Sequence, residues 1–232
     1  MKIHCDLNIP CSGHLDRTAI DKLKLILSQL TQLNECAVAL NYKMEGFNKN
    51  NIPRLLDTNI INPASFNSNY SLKIYTRITI DTNEPIHNED LMMLRQKFDL
   101  IALRTNNLKV FQDACHIYNI DIISLHCDER LAFELKSIDI KQALKRKIYF
   151  ELCYAPAIRD NQSRSFTIQL AKQLYEYTLG DNMIISSEAE IVSEIRSPGS
   201  IFYFAKSIGL PNDKAKFTTE KHCQQLLNKI KQ

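Results

Sequence analysis

The sequence has 232 residues, a length that suits one barrel domain, and 44% of them are hydrophobic, which is enough for a sizeable core. No uninterrupted apolar stretch reaches the roughly 18 residues of a membrane-spanning helix, so we expect no membrane segment. The net charge of +3 does not by itself indicate nucleic acid, but residues 1–140 carry a balance of −2 and residues 141–232 one of +5. This skew favours a basic face in the C-terminal part.

Short apolar runs alternate with helix-period segments along the chain. The runs are rich in Ile, Val, Tyr and Phe and span about four to eight residues, which is typical of β-strands. Seven predicted strands and a candidate eighth are, in order, Ile3–Leu7, Cys36–Leu40, Leu72–Ile80, Leu100–Leu103, Ile120–Leu125, Ile148–Cys153, Met183–Ser186 and Ala215–Thr218. Several are apolar almost throughout, as expected for parallel strands that are covered on both faces.

Amphipathic segments between these runs predict helices. They cover Arg17–Gln32 with Asp16 or Thr18 as N-cap, a stretch after Asn107, a stretch after Ser163, and Glu220 to Lys231. Such alternation implies parallel strands joined by crossover helices. We therefore predict an α/β fold, a TIM-like (β/α) barrel of seven or eight parallel strands. An open doubly wound sheet is the alternative, but no G-x-G-x-x-G motif follows the first strand.

One region breaks the alternation. Residues 42–70 are polar and rich in asparagine, with Pro53 and Pro63 and little apolar sequence. A loop of this length in a compact domain is usually functional or mobile. We expect a single barrel domain over residues 1–232, with a polar loop excursion at about 42–70 and a second helix that is short or absent.

The predicted carboxyl ends of the strands, where barrel enzymes place their chemistry, show no convincing active site. A metal-dependent hydrolase on this scaffold would begin with an H-x-H motif and add further ligands. Here His4 and Asp6 share a strand face, but no second histidine follows. Ser186-Ser187 lacks the G-x-S-x-G elbow of a nucleophile. The sequence therefore predicts no catalytic residue, no metal site and no bound cofactor.

Arginine is the residue type that accumulates at the predicted strand ends and in the loops after them. Its planar guanidinium matches phosphate oxygens bidentately, which makes it a preferred residue for nucleic-acid backbones. The candidate RNA-binding residues are Arg104, Arg130, Arg159, Arg164, Arg196 and Lys216. The alternative for any one arginine is an ion pair that fixes a loop, with partners such as Asp128, Glu129, Asp160 or Glu194.

Several motifs, in the same order, resemble the 30-kDa protein subunit family of ribonuclease P and ribonuclease MRP, which is eukaryotic and archaeal. The segment Tyr154–Asp160, YAPAIRD, is similar to that family's Y-[SA]-P-A-I-R-D element. The other similar segments are Asp6–Pro10 (DLNIP), Asp121–Leu125 (DIISL) followed by Glu129–Leu131 (ERL), Ile184–Glu190 (IISSEAE) and Glu194–Pro198 (EIRSP). The resemblance runs from the first strand to the last helix and is densest over residues 98–219.

This resemblance implies a barrel related to phosphoesterases of the polymerase-and-histidinol-phosphatase type, without their complete set of metal ligands. It implies that the catalytic RNA, with Mg²⁺ bound to it, cleaves 5′ leaders from precursor tRNA, or ribosomal RNA precursors in ribonuclease MRP. The chain would be a non-catalytic, RNA-binding subunit that pairs with a small Pop-family protein and other ribonuclease P proteins, in the nucleus and nucleolus. Two alternatives stay open: a stand-alone metal-dependent barrel phosphoesterase, and a pure protein scaffold.

Overall fold

Seven parallel strands follow one another in chain order around a nearly closed barrel in the computed structural model, which describes residues 4–13, 15–61 and 72–230. The strands are β1 His4–Cys11, β2 Glu35–Glu45, β3 Lys73–Asp81, β4 Leu100–Arg104, β5 Ile122–Ser124, β6 Tyr149–Cys153 and β7 Met183–Ser186. Each overlaps one of the seven predicted strands, so the predicted barrel class is confirmed. The predicted first residue of β1, Ile3, lies outside the described residues.

Helices join the strands and pack on the outside of the barrel. They are α1 Arg17–Gln32, α2 Asn88–Arg95, α3 Leu108–His116, α4 Ser137–Lys145, α5 Ala155–Arg159, α6 Asn161–Thr178, α7 Pro198–Ser207, α8 Asn212–Phe217 and α9 Lys221–Lys229. Helix α1 has its predicted bounds because the Asp16 carboxylate accepts a hydrogen bond from the Ala19 backbone N at 2.7 Å. Helix α6 begins earlier than predicted, because Asp160 caps it by accepting from the Ser163 backbone N at 2.8 Å.

None of the helices in the described ranges is long and apolar enough to cross a membrane.

The predicted eighth strand, Ala215–Thr218, is wrong. Lysines alternate with apolar residues there, which looks like a strand, but the segment lies in helix α8 and the residue that follows it. Ala215 and Thr218 are the buried positions, and they are three residues apart, the spacing of one helix face. Pro211 precedes the helix as its N-cap residue, and its fixed φ suits a helix start.

Residues 218 and 219 nevertheless complete part of the barrel wall between β7 and β1. The carbonyl of Thr218 accepts a hydrogen bond from the Ile185 backbone N at 3.4 Å, and that of Thr219 accepts one from the Cys5 backbone N at 3.2 Å. A two-residue turn therefore stands where a complete eighth strand would lie, and the barrel is nearly closed rather than closed.

The predicted excursion at 42–70 begins later than expected, because β2 continues as a regular parallel strand to Glu45. Beyond it, the described residues form two single turns of 3₁₀ helix, Lys49–Asn51 and Thr58–Ile60. The remainder of the predicted excursion, from residue 62, lies outside the described residues.

Every second strand residue faces the barrel lumen, except in β1, whose register shifts between Asp6 and Ile9. The lumen has two layers. The lower layer, at the amino ends of the strands, is apolar and includes Leu7, Ala39, Ala102, Ile122 and Ile184. Helix α9 closes this end by packing Cys223, Leu226 and Leu227 against it. The upper layer, toward the carboxyl ends of the strands, is polar, and we call it the upper lumen; its residues are Asn8, Asn41, Arg77, Thr79, Ser124, Glu151 and Ser186.

Candidate functional site

An ion pair occupies the centre of the upper lumen. The side chains of Arg77 on β3 and Glu151 on β6 are both 0% exposed. Arg77 Nη1 donates to Glu151 Oε1 at 2.5 Å, and Nη2 donates to Oε2 at 2.7 Å. Arg77 Nη1 also donates to the carbonyl of Leu7 at 2.8 Å, and Nε donates to Thr79 Oγ1 at 3.1 Å. This bidentate pair is the strongest geometry that arginine and a carboxylate can form, and it joins β1, β3 and β6.

Two asparagines extend the hydrogen bonds around the lumen. Asn41 Nδ2 donates to Asn8 Oδ1 at 2.7 Å, and Thr79 Oγ1 donates to Asn41 Oδ1 at 2.7 Å. Asn8 Nδ2 donates to Glu151 Oε2 at 3.2 Å, which connects this hydrogen-bond network to the ion pair. Burying a polar group costs free energy unless the group is hydrogen-bonded, so this hydrogen-bond network makes the polar upper lumen compatible with folding.

The two buried carboxyl groups near the lumen have opposite pKa shifts. Burial raises the pKa of Glu151, but the Arg77 guanidinium outweighs burial and holds that pKa at about 2. No cation pairs with Asp6 in the part of the chain that the structure describes, and burial raises its pKa to about 6 although hydrogen bonds from Ser187 and Asn8 lower it. Glu151 is therefore firmly ionised, whereas Asp6 titrates close to neutral pH.

The residues of the upper lumen do not fit a divalent metal ion. Both carboxylate oxygens of Glu151 already accept from Arg77, and a guanidinium at that position repels a cation. His4, the first residue of β1, lies at the opposite end of the barrel, 3.8 Å from Glu220 Oε1. Within the described ranges, no group of three or more His, Cys, Asp and Glu side chains could hold a metal.

Above the upper lumen, the carboxyl ends of the strands form an open mouth with a cavity of about 500 Å³. Arg104, at the end of β4, lies in its wall and is buried. Its Nη1 donates to Glu188 Oε1 at 2.6 Å, and its Nη2 donates to Ser124 Oγ at 3.0 Å. Burial lowers the pKa of Arg104, but the Glu188 carboxylate reverses this and raises the pKa well above its ordinary value. Arg104 therefore already has a carboxylate partner.

Arg159, at the end of α5, faces the same mouth and, like Arg104, is paired with a carboxylate. Its Nε donates to Glu194 Oε1 at 2.8 Å and its Nη2 to Glu194 Oε2 at 3.1 Å. Nη2 also donates to the Glu188 carbonyl at 2.8 Å, and Nη1 lies 3.2 Å from Glu190 Oε1. The hydrogen bond to Glu194 raises the pKa of Arg159. This is the loop-fixing arrangement that the sequence left open as the alternative.

Arg130 behaves differently. It follows β5, is exposed, and lines a cavity of about 420 Å³ together with His126, Phe133 and Phe166. Among the described residues it has no ion pair and no hydrogen bond. Its guanidinium is therefore free to meet an anion from solvent.

Arg164 on α6 and Arg196 before α7 line a third cavity, of about 490 Å³, with an apolar floor. Arg164 Nε donates to the carbonyl of Ala157 at 2.9 Å. Arg196 Nη1 donates to the carbonyls of Ser193 at 2.7 Å and Ile195 at 3.0 Å. Carbonyl groups orient these two guanidinium groups without neutralising their charge.

Lys216 does not belong with the five arginines. It lies on α8, two residues after Lys214, which pairs with Asp181 in the loop that enters β7. That loop is at the amino end of the strand, on the opposite side of the barrel from the mouth. The predicted set is therefore divided between two ends of the barrel. We call Arg130, Arg164 and Arg196, which make no ion pair with a carboxylate among the described residues, the rim arginines.

The residues at the predicted strand ends do not reveal the upper-lumen ion pair, which lies within the strands. A signal was nevertheless present, because Arg77 and Glu151 stand in the middle of the predicted strands Leu72–Ile80 and Ile148–Cys153. A charged residue inside a strand that is covered on both faces requires a buried partner of opposite charge. An arginine and a glutamate inside two such strands therefore indicate that the two side chains form a buried ion pair.

The sequence profile of the family described as RNase P subunit p30 matches residues 3–232. The chain belongs to this family. The resemblance found in the motifs is thus confirmed over nearly the whole sequence.

Curated relatives agree with the p30 family. Ribonuclease P protein subunit p30 of Mus musculus is 33% identical over 66% of this chain and 58% of its own length. Probable ribonuclease P protein subunit 3 of Schizosaccharomyces pombe is 28% identical over 96% of this chain and 91% of its own length. Protein GAMETOPHYTE DEFECTIVE 1 of Arabidopsis thaliana is 33% identical over 67% of this chain. The chain spans 58% of the mouse relative and 27% of the Arabidopsis relative.

Solved structures share the barrel. A chain in the cryo-EM structure of archaeal ribonuclease P with mature tRNA has a TM-score of 0.69 at 16% identity, covering 97% of this chain and 90% of that chain. The histidinol phosphate phosphatase of Lactococcus lactis, solved with zinc, L-histidinol and phosphate, has a TM-score of 0.55 at 10% identity, covering 90% and 94%. These likenesses show that the chain shares the barrel fold of both proteins.

Proposed function

We propose that this p30-family chain is a non-catalytic, RNA-binding protein subunit of a ribonuclease P or ribonuclease MRP particle. The observation that carries the proposal is the family match over residues 3–232. The upper lumen supports it, because an Arg77–Glu151 ion pair fills the place where a barrel phosphoesterase needs free ligands. The alternative of a stand-alone metal-dependent phosphoesterase is therefore not favoured.

In this proposal the RNA carries out the cleavage, with Mg²⁺ bound to the RNA, and the protein chain binds no cofactor of its own. Exposed cations on the chain neutralise phosphates and release counterions, which stabilises a compact RNA. The partners are the catalytic RNA, a small Pop-family protein and other ribonuclease P proteins, and the site of action is the nucleus, including the nucleolus. Removal of 5′ leaders from precursor tRNA is the reaction that the particle performs.

The rim arginines are the residues we assign to RNA contact. Arg104 and Arg159 each donate to a carboxylate, so a phosphate would have to displace Glu188 or Glu194. The rim arginines make no ion pair with a carboxylate among the described residues, so a phosphate has no bonded carboxylate to displace. Contact through them needs no rearrangement of the barrel.

The test is a pull-down of the tagged full chain from native extract, with sequencing of the bound RNA and identification of the co-eluting proteins. We expect the RNA of ribonuclease P or ribonuclease MRP together with other protein subunits. Ultraviolet crosslinking of the particle should give RNA adducts on this chain; a particle without such adducts would indicate a pure protein scaffold. Cleavage of precursor tRNA, or of a phosphoester with Mn²⁺ or Zn²⁺, by the purified RNA-free chain would overturn the proposal.

A further inference from the structure

A groove between helices α6 and α7 combines an apolar floor with two positive charges. Its floor includes Ile168 on α6 and Ile201 and Phe204 on α7, and Arg164 and Arg196 line it as well. We call it the α6–α7 groove. Its volume of about 490 Å³ is in the range of small-ligand sites.

The two guanidinium groups are fixed but not neutralised. Arg164 is exposed, and one of its N–H groups is held by the Ala157 carbonyl. Arg196 is half-buried, its Nη1 is shared between two carbonyls, and its backbone N donates to Tyr154 Oη at 3.1 Å. Hydrogen bonds to carbonyl groups reduce the conformational freedom of each side chain without cancelling its charge. Binding an anion then costs less ordering entropy than it would with free side chains.

No carboxylate competes for this groove among the described residues that line it. The nearest acidic residue along the chain is Asp160, the N-cap of α6, which interacts with the charge of Arg164 but makes no ion pair with it. Its Oδ1 accepts from the Ser163 backbone N at 2.8 Å, and its Oδ2 accepts from Ser163 Oγ at 2.6 Å. The contrast with Arg159 is direct, because that neighbouring arginine lies against two glutamates.

We propose that the α6–α7 groove binds one unpaired nucleotide of a single-stranded RNA segment. The base lies on Phe204 and the isoleucines, and the adjoining phosphates contact Arg164 and Arg196. This inference rests on the proposed function, and it names the form of RNA that this site takes. It assigns a binding role to Phe204, which is half-buried, whereas Tyr154, the other aromatic residue among those that line the groove, is buried.

The chemistry of the groove favours a nucleotide over a protein segment. A nucleotide joins a flat apolar face to obligatory negative charges on both sides, and proteins recognise unpaired bases by stacking them on aromatic side chains beside arginines. An amphipathic helix would need anchors along several turns of a groove, and α7 has only ten residues. A protein partner is accordingly an outcome that the test must be able to reveal.

The experiment uses the purified full chain and a fluorescent oligouridylate of about ten nucleotides that carries one 4-thiouridine. Binding is followed by anisotropy at several salt concentrations, and the photo-crosslinked peptide is identified by mass spectrometry. The variants are the double substitution Arg164→Gln/Arg196→Gln, the substitution Phe204→Leu, and the control Lys172→Gln. Lys172 is an exposed cation on α6 that does not line the groove.

We expect the wild-type crosslink to map to α6 or α7. The double variant should lower affinity by about tenfold or more and reduce the salt slope by about 1.4, because two phosphate contacts on a single strand are lost. Phe204→Leu keeps an apolar floor, and it should lower affinity by about fivefold with an unchanged salt slope. Lys172→Gln should change affinity less than about twofold, as a charge remote from the contact does. Far-ultraviolet circular dichroism and the melting temperature verify that each variant is folded.

Three results separate failure of this inference from failure of the proposed function. If the chain binds the particle's RNA but the thiouridine crosslinks fall outside α6 and α7, the groove assignment is overturned and the proposed function stands. If the double variant loses a co-eluting protein in the pull-down while crosslinking is unchanged, the groove is a protein site and the assignment is again overturned. If neither the oligonucleotide nor the particle's RNA binds the wild-type chain, the proposed function itself fails.

Discussion

Arg77 in the upper lumen is 0% exposed and donates to both carboxylate oxygens of Glu151, whereas Arg130 on the rim is exposed and has no ion pair within the described ranges. The two side chains have the same chemistry and opposite surroundings. In the lumen, desolvation makes an unpaired guanidinium prohibitive, so a carboxylate must accompany it. On the rim, water solvates the charge, and an anion can replace that water.

Arg104 and Arg159 lie between these extremes, at the mouth. Each has a glutamate partner, but Arg104 is buried and Arg159 is exposed. Position along the barrel axis therefore does not decide whether an arginine is paired. The decisive feature is whether the fold supplies a carboxylate, and this separates arginines that are held in ion pairs from arginines that are open to an anion.

The largest expected effect comes from breaking the lumen pair. Glu151→Gln keeps the shape of the side chain but leaves the Arg77 guanidinium buried without a counter-charge. We expect the free energy of unfolding to fall by about 3–5 kcal/mol, the cost of an uncompensated buried charge. Urea unfolding followed by circular dichroism measures it. A loss below about 1 kcal/mol would mean that the lumen is more hydrated than its 0% exposure indicates.

The matched control removes both charges. Arg77→Met/Glu151→Leu replaces the ion pair with apolar side chains of similar length, so no buried charge stays unpaired. This double variant should be more stable than Glu151→Gln, because replacing a buried ion pair as a unit is often close to neutral. The interaction energy from the corresponding double-mutant cycle then measures the coupling between the two residues. Additive losses would contradict direct pairing.

A second, smaller effect concerns Asp6, which lies near the lumen without a cation. Its pKa is about 6 in the folded chain and near 3.8 when unperturbed, so the folded state favours the protonated form. The ionised carboxylate therefore lowers the free energy of unfolding above pH 6, and this penalty disappears as the pH falls below 4. The difference of about two pH units corresponds to about 3 kcal/mol.

Asp6→Asn should remove this penalty. Both backbone N–H groups that Asp6 binds, of Ser187 and Asn8, donate to Oδ1, and an asparagine oxygen can accept them equally. We expect the variant to be more stable than the wild type at pH 7.5 by about 2–3 kcal/mol, and the two to converge near pH 4. The low pKa of Glu151 affects both proteins alike, so it cancels in the comparison. A constant difference across this pH range would show that Asp6 stays ionised throughout.

The sequence was sufficient to predict elements whose signal is local. Arg17–Gln32 and Met183–Ser186 have their predicted bounds, because a cap residue or an apolar run marks each end. Ala215–Thr218 was misread because two lysines alternating with apolar residues suit a strand and a short helix equally well. The segment forms helix α8, with Ala215 and Thr218 buried on one face.

The pairing of the candidate site residues cannot be predicted from local sequence patterns. Whether an arginine is free or paired is decided by residues far away in the chain, such as Glu188 for Arg104 and Glu194 for Arg159. The carboxyl ends of the predicted strands meet at the mouth, since parallel strands end together. Lys216 was grouped with the arginines because the sequence predicts an eighth strand there, whereas the segment forms helix α8.

The smallest expected effect on stability is also the sharpest test of the comparison between lumen and rim. Arg130→Ala should change the free energy of unfolding by no more than about 0.5 kcal/mol, because the side chain has no partner to lose among the described residues. The affinity of this variant for the particle's RNA should fall, and the dependence of that affinity on salt should decrease by about 0.7–0.9 in slope, as expected for one lost phosphate contact.

Arg159→Ala should instead lower the free energy of unfolding by about 1 kcal/mol, since Glu194 loses its partner. Thermal unfolding and filter binding on the same preparations measure both quantities. If Arg130→Ala destabilised the fold as much as Arg159→Ala and left the salt slope unchanged, a free guanidinium on the rim would not be what distinguishes RNA-binding arginines from structural ones.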